Sequence, residues 1–329
     1  MSRGLLRAMT RPYAEIDLTR MALDSRIAFT RSTSASRFKQ DGTIEIVAAN
    51  VPRIDHNPAT GEVLGLLIES GKTNILLNSL ALSTQTVTTT ATTYTLSFYG
   101  PGSITLSGSY TGALASAGAW PARAVLTFTA AAGALTLTVS GSVQYAQLEA
   151  YGVASSWIPT TSAAASRGTD IARITNASWG GQVPYNGSTL FADFTAPMDT
   201  GGYARSLACR RSDTGLTDAW WYLLANNNTT GLRAVQWEGL GGAFGIASNW
   251  VAAGQRIKVA ATMQNASRRG SVNGGNVLTR GASGSLPANL PDLIEIGAGN
   301  GAVAHRSWFR RIRFFPWLMT DNELKAVTS

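Results

Sequence analysis

The feature that most constrains this chain is a two-residue alternation of apolar and small polar side chains. In "TYTLSFYG" the residues Tyr94, Leu96 and Phe98 alternate with Thr95 and Ser97. "AVLTFTA" repeats the pattern through Leu126 and Phe128, and "LTLTVSG" through Leu135, Leu137 and Val139. Successive side chains of a strand point to opposite faces, so each stretch reads as an antiparallel strand with one buried face. Helical spacing of apolar residues is nearly absent. Charged residues make up only 14% of the chain, against a usual share of about a quarter. Gly, Ala, Ser and Thr take their place, which suits β-surfaces of small polar side chains.

The strands between 80 and 160 are short and closely spaced, which predicts a β-sandwich or jelly roll over 80–165. "SSWIPTTSAAASRGTD", with Pro159 and its small polar run, reads as a linker. A second sandwich is expected over 166–329. In it Leu190, Ala192 and Phe194 share one face, as do Ile257, Val259, Ala261 and Met263. Asn273-Gly274 supplies a tight turn, and the Asn cluster after "AWWYLL" is a further turn signal. Near the C-terminus Ile312 and Phe314 alternate with Arg311 and Arg313 until Pro316 ends the strand. Thr320 stands three residues before Glu323, a capping-box pattern. It predicts a helix over 321–327 that packs Leu324 and Val327 on the sheet. Residues 1–79 are less regular, with strands expected near 43–48 and 63–69. They are expected to form an anchoring segment whose first 40 or so residues order against another protein or a sister subunit. The fold class is therefore all-β: two antiparallel β-sandwiches, an irregular N-terminal segment and one short C-terminal helix.

The net charge is +8 over 329 residues, and arginine carries most of the positive charge. Such a balance favours anionic partners. The densest spots are Arg210-Arg211, Arg268-Arg269 and Arg310-Arg311 with Arg313, and no run reaches the length of a basic tail. Nucleic-acid binding has no motif to support it. Cys209 is the single cysteine, so an intrachain disulfide framework is excluded. No apolar stretch is long enough for a membrane helix, and the first residues lack the apolar core of a signal peptide. A soluble protein made in a reducing cytoplasm is expected.

Candidate chemistry is sparse. His56 and His305 lie in turn-like contexts with no nucleophile motif near them. The Cys and His counts exclude a zinc site. Asp193, Asp199, Asp213 and Asp218 could supply oxygen ligands to a structural calcium, but their spacing matches no calcium loop. Asp193, Glu238 and Glu295 fall on predicted strands, where two carboxylates could flank a glycosidic bond. No catalytic residue, metal or cofactor is expected. Sugar binding needs aromatic platforms with amide or carboxylate partners. Trp220, Trp221, Tyr222, Trp237 and Trp250, with Asn226, Asn227 and Asn228, have that composition. Trp220 and Trp221 are consecutive, so on a strand they face opposite ways. The competing explanation places most of these rings in the core or in subunit contacts. Trp120, beside Pro121, is a similar candidate in the smaller sandwich.

Two segments carry a resemblance. "ANVPRIDHNPATGEVLGLLIESGKTNILLNS" resembles a stretch of bacteriophage virion proteins of the tail-fibre or minor structural kind, through Pro52, Arg53, Asp55, Gly65 to Glu69, Thr73, Asn74 and Ser79. Gly71-Lys72 stands here where Ala-Arg is commoner. "AQLEAYGVASSWIPTTSAAASRGTDIA" is similar to a second such stretch, through Gln147 to Glu149, Trp157 to Thr160, Arg167 and Asp170. The resemblance implies a carbohydrate-binding-module-like jelly roll followed by a concanavalin A-like, laminin-G-type sandwich. It implies a non-enzymatic virion component, exposed on the particle and attached to other virion proteins through its N-terminal segment. It also implies a homo-oligomer, a trimer by analogy, with host-surface polysaccharide as the candidate ligand. Purely structural decoration without a ligand is the alternative, and a glycan-degrading enzyme the third. Neither nucleic-acid binding nor membrane insertion is expected.

Overall fold

A computed structural model describes residues 14–175, 178, 187–198, 205–210, 221–224, 226–228, 231–239, 242–264, 267–281, 292–297 and 306–329. Its described strands form two stacked pairs of antiparallel sheets, as the alternation predicts, and two further two-stranded sheets, Ala35–Phe38 with Ile44–Val47 and Lys72–Asn74 with Ala165–Arg167, with one helix among the described residues.

In the smaller sandwich a four-stranded sheet runs in the order Gly112–Ala115, Ser103–Gly108, Gly133–Ser140, Gln85–Thr89. It packs on a three-stranded sheet in the order Arg123–Ala130, Thr92–Tyr99, Gln144–Glu149. Tyr94, Leu96 and Phe98 meet Leu135, Leu137, Ala146 and Leu148 in one core. Thr95 and Ser97 do not face solvent as the alternation suggests; both are fully buried. The outer face of their sheet is covered. Thr95 donates its hydroxyl to the Tyr151 carbonyl at 2.8 Å, and Ser97 accepts from Arg123 at 2.8 Å. Strand pairing puts Gln147 opposite Ser97 and Glu149 opposite Thr95. All four therefore share that covered face, and Leu148 turns into the core.

The larger sandwich consists of two eight-stranded sheets around a second core. Its central strands, Ser188–Thr195 and Ser307–Phe315, pair antiparallel. Leu190, Ala192 and Phe194 face inward with Ile312 and Phe314. Arg311 and Arg313 face outward and share the two oxygens of Glu15 at 3.0 and 3.1 Å. Ile257, Val259 and Ala261 join the core as predicted; the Met263 side chain lies outside the described residues. The helix spans Asp321–Thr328, and its capping box is complete, with Thr320 N donating to Glu323 at 2.7 Å. Leu324 and Val327 pack against Phe191 and Phe315 on the outer sheet face.

The N-terminal segment departs from expectation, because its described part is woven into the larger sandwich. Ala14–Asp17 pairs with Ser307–Phe315, and Ile27–Thr30 pairs with Ile171–Thr175. Ile54–His56 and Val63–Ile68 extend the first sheet. These strands insert Ile16, Ile27, Ile54, Leu66 and Ile68 into the core. Strands of three to six residues are too short for their periodicity to declare a partner, so a structural role reads as irregularity. Gly65 marks the close approach of this segment. Its φ is +109°, and a Cβ there would lie 2.2 Å from the Phe309 carbonyl oxygen.

Candidate functional site

The segment 155–170 is not the open linker its composition suggests. Ser155, Ser156, Trp157, Thr160, Arg167 and Asp170 are all buried. They join the first segment in a polar clasp on the covered face of the small sandwich. Arg53 donates to Glu69 at 2.8 Å, to Ser156 Oγ at 2.7 Å and to Asp170. Arg31 donates to the other oxygen of Asp170 at 3.1 Å. Arg167 lies 3.2 Å from Glu69 and donates to the Ser70 carbonyl at 2.6 Å. Glu69 also accepts from Ser156 N at 2.9 Å. Burial opposes the charge on Glu69, but Arg167, Arg53 and Arg306 outweigh it and hold the carboxyl well below its ordinary range.

Neutral groups complete the clasp. Asn74 uses its whole amide: it accepts from Leu76 N and Leu148 N and donates to the Ala146 and Ile158 carbonyls at 3.0 and 2.9 Å. Trp157 donates its indole N–H to Ser79 Oγ at 3.2 Å, and Ser79 Oγ accepts from Thr160 N at 2.9 Å. Glu149 accepts from Ser155 N at 2.9 Å. About half of the residues singled out in the two resembling segments, among them Arg53, Glu69, Asn74, Ser79, Glu149, Trp157, Thr160, Arg167 and Asp170, are therefore clasp residues. Buried polar groups must find partners, and here the two sandwiches supply them to each other.

An aromatic face lies at the edge of the clasp. Tyr99 is on the covered sheet face opposite Arg123. Around it stand Trp120, with ring centroids 4.9 Å apart, Phe38 at 6.3 Å and Tyr145 at 6.1 Å. Trp120 touches Phe38 and Tyr145 as well, and Tyr145 stands edge-on to Trp157 at 4.9 Å. Tyr145 is brought there by a bulge between Gln144 and Gln147 and has a φ of +48°. A bulge of this kind re-aims a side chain out of the regular pleat. Tyr99 is buried, whereas Trp120 is 42% exposed. Phe38 comes from a two-stranded hairpin, Ala35–Phe38 with Ile44–Val47. The same hairpin exposes Ile46 nearby. Three rings thus brace one indole that is open to solvent.

Behind this face lies a narrow slot with about 10 Å³ of free space, lined by Phe38, Tyr99, Trp157, Asp55 and the arginines Arg37, Arg123 and Arg306, with Ser36, Ile44 and Ser156. Asp55 accepts from Phe38 N at 2.7 Å and from the Trp308 indole at 2.8 Å. Burial pushes its carboxyl above the ordinary value against the pull of those donors and of Arg306 and Arg53.

The residues predicted to bind sugar fall elsewhere. Trp221 and Tyr222 lie on Trp221–Leu224, Asn226, Asn227 and Asn228 on their own short strand, Trp237 on Gly231–Gly239 and Trp250 on Gly242–Val251. Strand pairing brings these four strands together in the second sheet, with Tyr222 opposite Gln236 and Arg233 opposite both Asn226 and Trp250. The Asn cluster is thus a strand and not the turn its composition suggests. Trp220 and the side chains of the other seven lie outside the described residues. Of the candidate acids, Asp193 takes a two-pronged bond from Arg256 at 2.9 and 2.8 Å, and Glu295 pairs with Arg173 at 3.0 Å. They belong to different sheets of the sandwich and do not face each other. The Glu238 side chain, Asp199, Asp213, Asp218 and His305 lie outside the described residues. His56 Nδ1 sits 3.1 Å from the Phe38 carbonyl oxygen. Composition alone missed Phe38, Tyr99, Arg123 and Tyr145; of this face only Trp120, beside Pro121, stood among the sequence candidates.

No family model matches the chain, and no curated protein matches it in sequence. Several solved structures are similar in part. Domain 4 of AbnA, an extracellular GH43 arabinanase from Geobacillus stearothermophilus, solved with arabinotriose, is 11% identical with a TM-score of 0.41. That match covers 49% of this chain and 73% of that one. The CBM40 of the Ruminococcus gnavus IT-sialidase, bound to α2,3-sialyllactose, is 18% identical with a TM-score of 0.36 over 44% of this chain and 84% of that one. The Trypanosoma rangeli sialidase in complex with the inhibitor DANA is 19% identical with a TM-score of 0.35, and the match spans 25% of that enzyme. Among the described residues no helix is long and apolar enough to cross a membrane.

Proposed function

We propose that this chain is a non-enzymatic, glycan-binding structural component of a bacteriophage virion, carried on the particle surface as a homo-oligomer and directed at host-surface polysaccharide. Trp120 carries the glycan part of the reading. Its indole is 42% exposed and is held in place by Tyr99, Phe38 and Tyr145. A fixed, solvent-facing ring suits the apolar face of a pyranose and loses little entropy on binding. The virion part rests on the two resembling segments.

The clasp favours a second reading, structural decoration with no ligand. Its motif residues join the two sandwiches, and most of them are spent on one another. One experiment separates the two. The full-length protein and its Trp120→Ala variant are compared on a glycan array and in adsorption to host cells. Trp120-dependent binding supports glycan attachment; absence of binding by the native protein leaves the structural role. Labelling of intact particles with an antibody to the chain tests the virion assignment.

A further inference from the structure

The slot beside Trp120 is unbalanced in charge. Around the junction stand five arginines, Arg31, Arg53, Arg123, Arg167 and Arg306, against four carboxyls, Glu69, Glu149, Asp170 and Asp55. Arg37, the other cation of the slot, is already matched by Glu45 at 2.7 Å. Arg123 donates to the Ser155 carbonyl at 2.7 Å and to Ser97 Oγ at 2.8 Å, both neutral oxygens. Among the described residues no carboxylate pairs with it. The nearest carboxylate oxygen to Arg306 is on Glu69 at 3.5 Å, and Glu69 already serves Arg53 and Arg167. The Nε atoms of Arg123 and Arg306 are buried and lack a hydrogen-bond partner. Both side chains are partly exposed, but a buried N–H without an acceptor is unfavourable, and a small anion in the slot would supply one.

The slot and the indole share walls. Tyr99 and Phe38 line the slot and also touch Trp120. The Arg123 guanidinium stands 5.6 Å from the centre of the Tyr99 ring, and Trp120 stands 4.9 Å from that centre. A sugar ring seated on Trp120 can therefore direct a substituent past Tyr99 toward Arg123. The free space admits one group of about the size of a water molecule, so a carboxylate would put one oxygen inside, toward the unpartnered Nε–H of Arg123, and keep the other at the mouth.

We propose that the slot takes one carboxylate oxygen of an acidic sugar, with Trp120 stacking on the ring and Arg123 and Arg306 as the anion donors. This rests on the glycan reading of Trp120 and narrows it to acidic polysaccharide. The test titrates the full-length protein with oligogalacturonate and with hyaluronan fragments, each against its own carboxyl-reduced form. The expected result is about tenfold tighter binding of at least one acidic form, a difference of about 1.4 kcal/mol, shrinking as salt rises. Arg123→Gln should remove the preference and Arg123→Lys should restore part of it, which separates lost charge from lost folding. Diffraction from bromide-soaked crystals should place bromide against Arg123. Equal, Trp120-dependent binding of both forms overturns the acidic-sugar proposal and leaves the glycan reading standing. Bromide in the slot without any acid preference reduces it to an inorganic anion site and also overturns the proposal. Binding that ignores Trp120→Ala overturns the Trp120 site and this proposal with it, and absence of any binding overturns the glycan reading itself.

Discussion

Arg31 donates to Asp170 at 3.1 Å across 139 positions of sequence, and neither side chain touches solvent. The second oxygen of Asp170 receives Arg53 and the backbone N–H of Glu69. One carboxylate thus ties together the N-terminal segment, the strand Val63–Ile68 that leads to Glu69, and the start of the second sandwich.

Removal of that carboxylate should be severe. Asp170→Ala leaves Arg31 and Arg53 enclosed without their counter-charge, for which a loss of about 3 to 5 kcal/mol is expected. Urea unfolding should show it. The native protein is expected to unfold in one transition, because the clasp couples both sandwiches, and the variant in two. A variant within about 1 kcal/mol of the native protein would mean the clasp contributes little.

Acid should loosen the same joint. The folded-state pKa of Glu69 lies below its ordinary 4.5 because of Arg167, Arg53 and Arg306. Its contribution is therefore present above pH 4.5 and is lost as the pH falls toward the folded value. Asp55 is shifted the other way, so it favours the folded state in acid and offsets part of the loss. Melting temperatures taken downward from neutral pH should fall steeply on the acid side. Glu69→Gln should start lower and show a shallower acid slope; an unchanged slope would remove Glu69 from the account.

The N-terminal strands should protect their own amides. Ala14–Asp17 pairs with Ser307–Phe315, and Ile27–Thr30 with Ile171–Thr175, and Ile16 and Ile27 are core residues. Hydrogen exchange on the isolated protein should show slow exchange in both strands. Rapid exchange there would restore the idea of a segment that orders only against a partner.

The sheets of both sandwiches were legible wherever one face meets the core and the other meets water, as in Leu135, Leu137 and Val139. Legibility failed where both faces are covered. Thr95, Ser97, Gln147 and Glu149 look like a solvent face, yet they hold the clasp. A small polar side chain reads the same in sequence whether water or another domain satisfies it. The strands Ala14–Asp17 and Ile27–Thr30 failed for a different reason. Their partners lie more than a hundred positions away, as Ala14 does from Phe314. The Trp120 face was only half visible, since its bracing rings come from the hairpin at Phe38, the strand ending at Tyr99 and the bulge at Tyr145.

Tryptophan substitutions should separate binding from folding. Trp157 is 8% exposed and donates to Ser79, so Trp157→Ala should cost about 3 to 5 kcal/mol of stability. Trp120 is 42% exposed, so Trp120→Ala should lower the melting temperature far less. Its loss should instead weaken glycan binding by about 1 to 3 kcal/mol, taking the range for bases stacked on aromatic rings as the guide. Trp220, Trp221, Trp237 and Trp250 belong in the same series, each changed to Ala and followed by melting temperature and adsorption to host cells. A binding-only defect at Trp120 and a melting defect at Trp157 are expected. If adsorption fails instead at Trp221, Trp237 or Trp250 with stability intact, the ligand surface is the second sheet of the larger sandwich. If no substitution changes adsorption, neither surface binds the host, and the clasp's structural role is what remains.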